Sequence, residues 1–461
     1  MKILLIRPPR VKKAITIGEF MFCEPIALEG LYALWKDEHT VKIVDMMIDK
    51  IKITDLCADF SPDVVGFTSL CVDVTNVLTL ARQVKACDDS IITLVGGSQT
   101  FVVPGAFHDP AIDHVMQYTT KDNLKTLFDH LKKGAPVPMI DGIESKCHDF
   151  ESTGVKGRNE YLVPDRSSTA QYRGHYSYFG YQPCAIMQTS QGCSKQCKFC
   201  LRWRIEGGEE LPQPMPCVFE QIETIEEPTV MIFDNDFLCD GDRINQLCDW
   251  LEETGTKKTF ISYGSVRGLL KNRDAVARFA KNGFSVVLIG YESGNPEELI
   301  DYSKKSTVDD NLAAARFLKE IGVDAWASFI LHPDWSVADF KQYRRYIRQL
   351  RPEITTMAPL TPFETLPMHR QYKDRLIIDK EAYENWNFAN VSIQPSEMSL
   401  RKYYWQVLLS HLYVNFYMNN TLYLIRKFGP LTLMRLLFGS MRLMKRYVGL
   451  MLAATGQQPA I

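Results

Sequence analysis

From Arg401 to its end the sequence contains no aspartate and no glutamate. That stretch carries eight basic residues instead (Arg401, Lys402, Arg426, Lys427, Arg435, Arg442, Lys445 and Arg446), which leaves the first 400 residues at −10 in a chain of net charge −2. An acidic body with an apolar basic tail disfavours nucleic-acid binding. Also missing is an apolar run of membrane-spanning length, because charge interrupts the tail every few residues. There is no internal repeat and no low-complexity tract. The opening MKILLIRPP is a strand-like run stopped by two prolines, without the cleavage site of a signal peptide. The expectation is a cytoplasmic protein, in which clustered cysteines hold metal more often than disulfides.

What is present is a folded chain of 461 residues, 46% hydrophobic and 23% charged, too long for one ordinary core. KILLIRPP, HTVKIVDM, PDVVGFTSL and IITLVGGSQ read as buried strands, separated by stretches with helical spacing. Such alternation predicts an α/β fold, with a parallel sheet covered on both faces and ligands beyond its carboxyl ends. Residues 1–140 are assigned to this unit, and the polar stretch 141–180 to a linker. CAIMQT, TVMIFDND, TFISYGSV, FSVVLIGYES, VDAWASFIL and EITTMAPL then give six βα units over 181–370, an open or partial parallel barrel. Residues 371–461 read as a helical region.

Directly after the first barrel strand comes QTSQGCSKQCKFC, with Cys193, Cys197 and Cys200 spaced Cys-x3-Cys-x2-Cys. Three thiolates on one short loop can converge on a soft metal or a cluster. A structural zinc wants four closed ligands. No fourth Cys or His lies at this spacing, although Cys184 and Cys217 are possible recruits. An iron–sulfur cube held at three corners leaves one iron open to an outside ligand.

With Phe199 in the aromatic position before the last cysteine, this motif at the head of a six-fold βα array resembles the radical S-adenosylmethionine (SAM) superfamily. The resemblance implies a [4Fe–4S] cluster that binds SAM at its open iron and cleaves it to a 5′-deoxyadenosyl radical. It also implies that Glu292 and Ser293 of GYES reach the SAM ribose, that Arg267 meets its carboxylate, and that Asp234 and Asp236 of FDND stand where the family contacts the amine. A doubly wound, Rossmann-like domain ahead of such a barrel resembles the cobalamin-dependent branch. Pro8 and Pro9, Ser69, and Gly96, Gly97, Ser98 and Gln99, at successive strand ends, would then contact cobalamin. No Asp-x-His-x-x-Gly occurs, so no histidine is offered as a lower axial ligand; His108, His114 and His130 read as structural or solvated. A flavodoxin-like domain with another ligand or none is the alternative.

The commonest activity in that branch is methylation of an unactivated carbon; oxidative cyclisation or ring rearrangement is the alternative, and a cobalamin-binding sensor with a structural cluster is the non-enzymatic one. A small-molecule substrate and an electron donor such as flavodoxin or ferredoxin are the implied partners. In the tail, Arg435, Arg442 and Lys445/Arg446 share a helical face, while Leu433, Leu436, Leu437, Met441, Met444 and Val448 cover much of the rest. This is either a basic amphipathic helix at a membrane surface or a helix packed on the barrel. The membrane alternative points to a hydrophobic substrate: a lipid, a terpenoid or a tetrapyrrole. EPIALE and HTVKIVDM look similar to hopanoid C-methylases.

Overall fold

The computed structural model describes residues 1–11 and 20–454. Short runs of Ile, Val and Leu form the strands, since β-branched side chains pack well on a buried pleated surface. The first sheet contains β1 (Lys2–Arg7), β2 (Thr40–Asp45), β3 (Val64–Thr68), β4 (Ile92–Gly96), β5 (His114–Met116) and β6 (Ile143–Ser145). Their order is β2-β1-β3-β4-β5-β6, and only the β5–β6 pair at the edge is antiparallel. Leu4 and Ile6 enter one core while Ile3 and Leu5 enter another, so helices cover both faces. The sheet's direction of growth reverses between β1 and β3, which opens a crevice beyond their carboxyl ends. Pro8 and Ser69 stand on either side of it.

Strand β6 falls inside the stretch 141–180 expected to be a linker. The rest of that stretch is more than a tether. It buries Arg166, Thr169, Tyr172, Tyr176, Tyr178 and Phe179, and Ser177–Tyr178 pairs with Met21–Phe22.

The second sheet contains β7 (Cys184–Met187), β8 (Thr229–Ile232), β9 (Thr259–Gly264), β10 (Phe284–Glu292), β11 (Asp324–Leu331) and β12 (Ile354–Pro359). All are parallel, in the sequential order expected of an open barrel. Helices cover the outer face, where Val287, Ala327 and Phe329 are buried. The inner face is plugged near the strands' amino ends by Tyr178, Phe179, Trp326 and Phe428. Toward the carboxyl ends Phe233, Tyr263, Leu288 and Ser328 are only half-buried. The barrel therefore opens at the end that carries the cysteine loop.

The free edge of β7 is covered by side chains. The Ile186 amide donates to Glu24 Oε1 at 2.5 Å, and its carbonyl accepts from Arg166 Nη2 at 2.6 Å. Arg173 joins Glu24, Glu29 and Glu227. This buried ionic clasp fastens the first domain to the barrel. Helices Leu400–Tyr413, Thr421–Phe428 and Pro430–Ala453 complete the chain. Among the described residues no helix is long and apolar enough to cross a membrane.

Candidate functional site

Beyond β7, Ser190–Gln191 pairs with Leu211–Pro212 and frames the loop that bears Cys193, Cys197 and Cys200. The loop is pinned by the FDND stretch at the end of β8. Asp234 is buried and accepts hydrogen bonds from the Thr189 amide at 2.6 Å, Thr189 Oγ1 at 2.5 Å and Ser190 Oγ at 2.8 Å. Burial lifts its carboxyl above the ordinary range against those bonds. Asn235 donates to the Gly192 carbonyl at 2.9 Å and to Glu206 at 2.8 Å. Asp236 pairs with Lys195 inside the cysteine loop and accepts from the Ser265 amide at 2.7 Å, tying the loop to the end of β9. The carboxylates expected at the SAM amine are thus engaged in holding the cysteine loop.

The three thiols are half-buried, and Cys193 is close enough to Cys197 and Cys200 to act on both. Burial pushes Cys197 up to about 11, with Cys200 and Cys193 adding to the rise and the Lys304 ammonium opposing it. Cys200 is also raised by burial, while the Arg202 and Trp203 amides favour its thiolate. Among the described residues no three Cys, His, Asp or Glu side chains converge as they would around one ion. Cys184 is buried in β7, and Cys217 lies on helix Met215–Thr224. Three half-buried thiols on one short loop, with Lys304 and Arg202 alongside, are a donor set that fits an anionic iron–sulfur cluster.

Glu292 ends β10 at a bulge, with φ of +62°. Its carboxylate folds over Gly290, where an added Cβ would stand 2.0 Å from Glu292 Oε1 and force that carboxylate aside. Lys304 Nζ donates to that oxygen at 2.9 Å. Burial would lower the Lys304 ammonium, but Glu292 together with Cys197 and Cys200 carries it above its ordinary value. Its Nζ also lies 6.0 Å from the centre of the Phe199 ring. Glu292, Lys304, Phe199, Cys197 and Cys200 form one cluster. Lys304 belongs to no recognisable motif, and nothing in the sequence singled it out.

Ser293 is buried, and its hydroxyl serves Glu298 at 2.5 Å and the Asn295 amide at 2.9 Å. Arg267 is exposed on helix Val266–Lys271. The arginine beside the thiols is Arg202, which bonds Glu206 at 2.9 Å and the Phe233 carbonyl at 2.6 Å and stacks 4.5 Å from the Phe233 ring. Its position immediately after the motif was the only available signal.

At the first domain's strand ends, Pro9 accepts from Asn76 at 2.7 Å, and the Ser69 amide donates to the Gly96 carbonyl at 2.8 Å. Gly97 has φ of +115°, and a Cβ there would meet the Ser69 carbonyl at 2.5 Å. Its smallness therefore serves the turn against Ser69. Helix Ser98–Val102 starts at this turn, with Gln99 buried. Gln99, Val102 and Cys71 face Phe363, Tyr383 and Trp386 across a cleft of about 30 Å³. That space suits one water and is too small for a macrocycle. His108 bonds Glu144, His114 bonds Ser145, and His130 bonds the Thr126 carbonyl, so all three have partners within their own domain.

Residues 187–347 match the family model described as Radical SAM superfamily. The chain is 23% identical over 404 residues to the hopanoid C-3 methylase of Methylococcus capsulatus, covering 84% of this chain and 76% of that protein. It is 22% identical over 393 residues to the anaerobic magnesium-protoporphyrin IX monomethyl ester cyclase of Rubrivivax gelatinosus, covering 81% and 69%. In fold it resembles TsrM of Kitasatospora setae, a radical SAM methyltransferase solved with cobalamin and a [4Fe–4S] cluster, with a TM-score of 0.65 at 14% identity over 81% of this chain and 78% of that one. Residues 187–347, which hold the cysteine triad and most of the open barrel, match the radical SAM superfamily, and the two-domain fold resembles that of TsrM.

Proposed function

We propose that the protein is a cobalamin-dependent radical SAM methyltransferase that alkylates an unactivated carbon of a hydrophobic small molecule, a lipid, terpenoid or tetrapyrrole. The observation that carries this reading is that the two sets of strand ends meet. Helix Ser98–Val102 packs against helix Arg202–Glu206, the segment that follows Cys200, and Cys71 Sγ lies 3.4 Å from the Tyr383 carbonyl. A group held by the first domain and a group held by the cysteine loop would therefore share one cleft.

Cys193, Cys197 and Cys200 would hold the cluster, and Ser69, the Gly97 turn and Gln99 would line the cobalamin side. Bound together, these groups supply reductive SAM cleavage and methyl delivery. The chain's own contribution is placement. Asp234 and Asp236 fix the loop, Lys304 holds Glu292 toward the thiols, and the half-buried inner face of the barrel receives the substrate beneath them. Flavodoxin or ferredoxin would supply the electron. A cytoplasmic protein in peripheral contact with the inner face of the membrane would reach such a substrate.

The test is anaerobic reconstitution with iron, sulfide, cobalamin and SAM, followed by mass spectrometry of lipid and pigment extracts incubated with the enzyme. The expected result is 5′-deoxyadenosine and a product heavier by one CH₂. Protein that cleaves no SAM, or that behaves the same after all three cysteines are changed to Ala, would refute the reading and favour a sensor. The resemblance to the magnesium-protoporphyrin cyclase supports a second reading, oxidative cyclisation. A product that loses hydrogen or gains oxygen in place of the CH₂ would select it.

A further inference from the structure

The C-terminal helices leave a large apolar face uncovered. Among the described residues, eleven of the eighteen large hydrophobic side chains that stand exposed lie between Trp405 and Leu452. On helix Pro430–Ala453 the buried side chains are Leu433, Leu436, Met444 and Tyr447, of which Met444 and Tyr447 share a core with helix Leu400–Tyr413. Tyr447 stacks on His411 at 5.1 Å. The outward ones, Leu431, Met434, Phe438, Met441, Val448 and Leu452, recur at three- and four-residue steps apart from one position, which Lys445 fills. They form a single stripe along the helix. Leu431 is 80% exposed and Phe438 62%. Phe416, Tyr417 and Leu422, each more than 60% exposed, extend the apolar surface into the preceding turn and helix. Burying such a stripe needs an occupant.

The charge around the stripe selects that occupant. Arg442 and Arg446 follow one edge four residues apart, Arg435 on the same edge is held by Gln182 and the Phe179 carbonyl, Lys445 stands within the stripe, and no acidic residue occurs beyond position 400. A second copy laid on the same face would set these cations against their own kind, with no carboxylate in the tail to pair them. An anionic lipid surface satisfies both features, since its acyl region takes the stripe while its head groups meet Lys445 and Arg446. We propose that this face docks the protein on an anionic membrane monolayer. The proposal deepens the hydrophobic-substrate reading and rests on it, because docking brings the enzyme to the phase in which such a substrate is dissolved.

The test is co-sedimentation of the full chain with vesicles of phosphatidylcholine alone and of phosphatidylcholine mixed with phosphatidylglycerol. The wild type is expected to pellet with the mixed vesicles and to be released by salt. The double variant Leu431→Glu and Phe438→Glu, altered only where side chains face outward, is expected to lose binding by about tenfold or more while keeping its thermal unfolding midpoint. SAM cleavage, measured in the same preparations without vesicles, is expected to be equal in both. Wild-type protein that remains in the supernatant with both vesicle types overturns the proposal. So does a wild-type dimer that the double variant converts to monomer, which would assign the face to a second copy. Protein that binds mixed vesicles yet cleaves no SAM supports docking and refutes the catalytic reading.

Discussion

Replacing Lys304 by Met removes a buried positive charge from between Glu292 and two of the three thiols. In reconstituted protein the cluster's reduction midpoint is expected to become more negative, because an anionic centre loses its nearest compensating charge. Lys304→Arg is expected to restore most of the shift. A purely structural lysine would leave the midpoint where it was, so potentiometry followed by electron paramagnetic resonance separates the two. Gly290→Ala attacks the same cluster through geometry, since the new methyl group would occupy the place of the Glu292 carboxylate. It is expected to raise the SAM concentration needed for half-maximal 5′-deoxyadenosine formation, with iron and sulfide content unchanged. At this scale the sequence was legible where spacing carries chemistry and silent elsewhere. Cys193, Cys197, Cys200 and Glu292 announce themselves by motif. Lys304 reaches Glu292 only because the turn after helix Pro296–Asp301 brings it back over the strand end. Arg267 illustrates the opposite case: its place after β9 suggested a carboxylate contact, yet the first turn of its helix points it outward to solvent.

The ten strands read from apolar runs all form, because each is long enough to show its period and is closed by a turn residue. The two strands of the six-stranded sheets that the apolar runs do not reveal, β5 and β6, have three residues each, too few for alternation to be visible. In the tail, helical periodicity was legible, but which face lies inward was not, because leucine and methionine occur on both. One buried histidine makes the tail's attachment sensitive to acid. His411 is pushed down to about 4 by burial alone, and its Nε2 has no partner. The unfolded chain binds a proton near 6.5, the ordinary imidazole value, so the attachment is fully stable above that pH and weakens as pH falls from 6.5 toward 4. The loss amounts to about 3 kcal/mol. His411→Phe, which keeps a ring against Tyr447, is expected to flatten that dependence. Urea unfolding at pH 7 and pH 5, followed by limited proteolysis of the tail, measures it.

Across the whole molecule the decisive contacts join parts far apart in sequence. Glu24 and Arg166 complete the edge of β7, and Arg173 gathers three carboxylates from the first domain and the barrel. Arg173→Met is expected to destabilise the protein by about 3–5 kcal/mol, because it strands buried carboxylates without their cation. Chemical denaturation of the two proteins at pH 7 provides the comparison. The clasp was invisible in the sequence because a polar stretch reads as a tether whether its charges face water or one another. It also decides how the molecule must work. One side of the gap between the domains is stapled shut, so the two halves do not part there like a book around that spine. The opposite rim is where segment 363–386 meets Gln99 and Val102. Any widening between the halves would therefore have to start at that rim, beside Phe363, Tyr383 and Trp386.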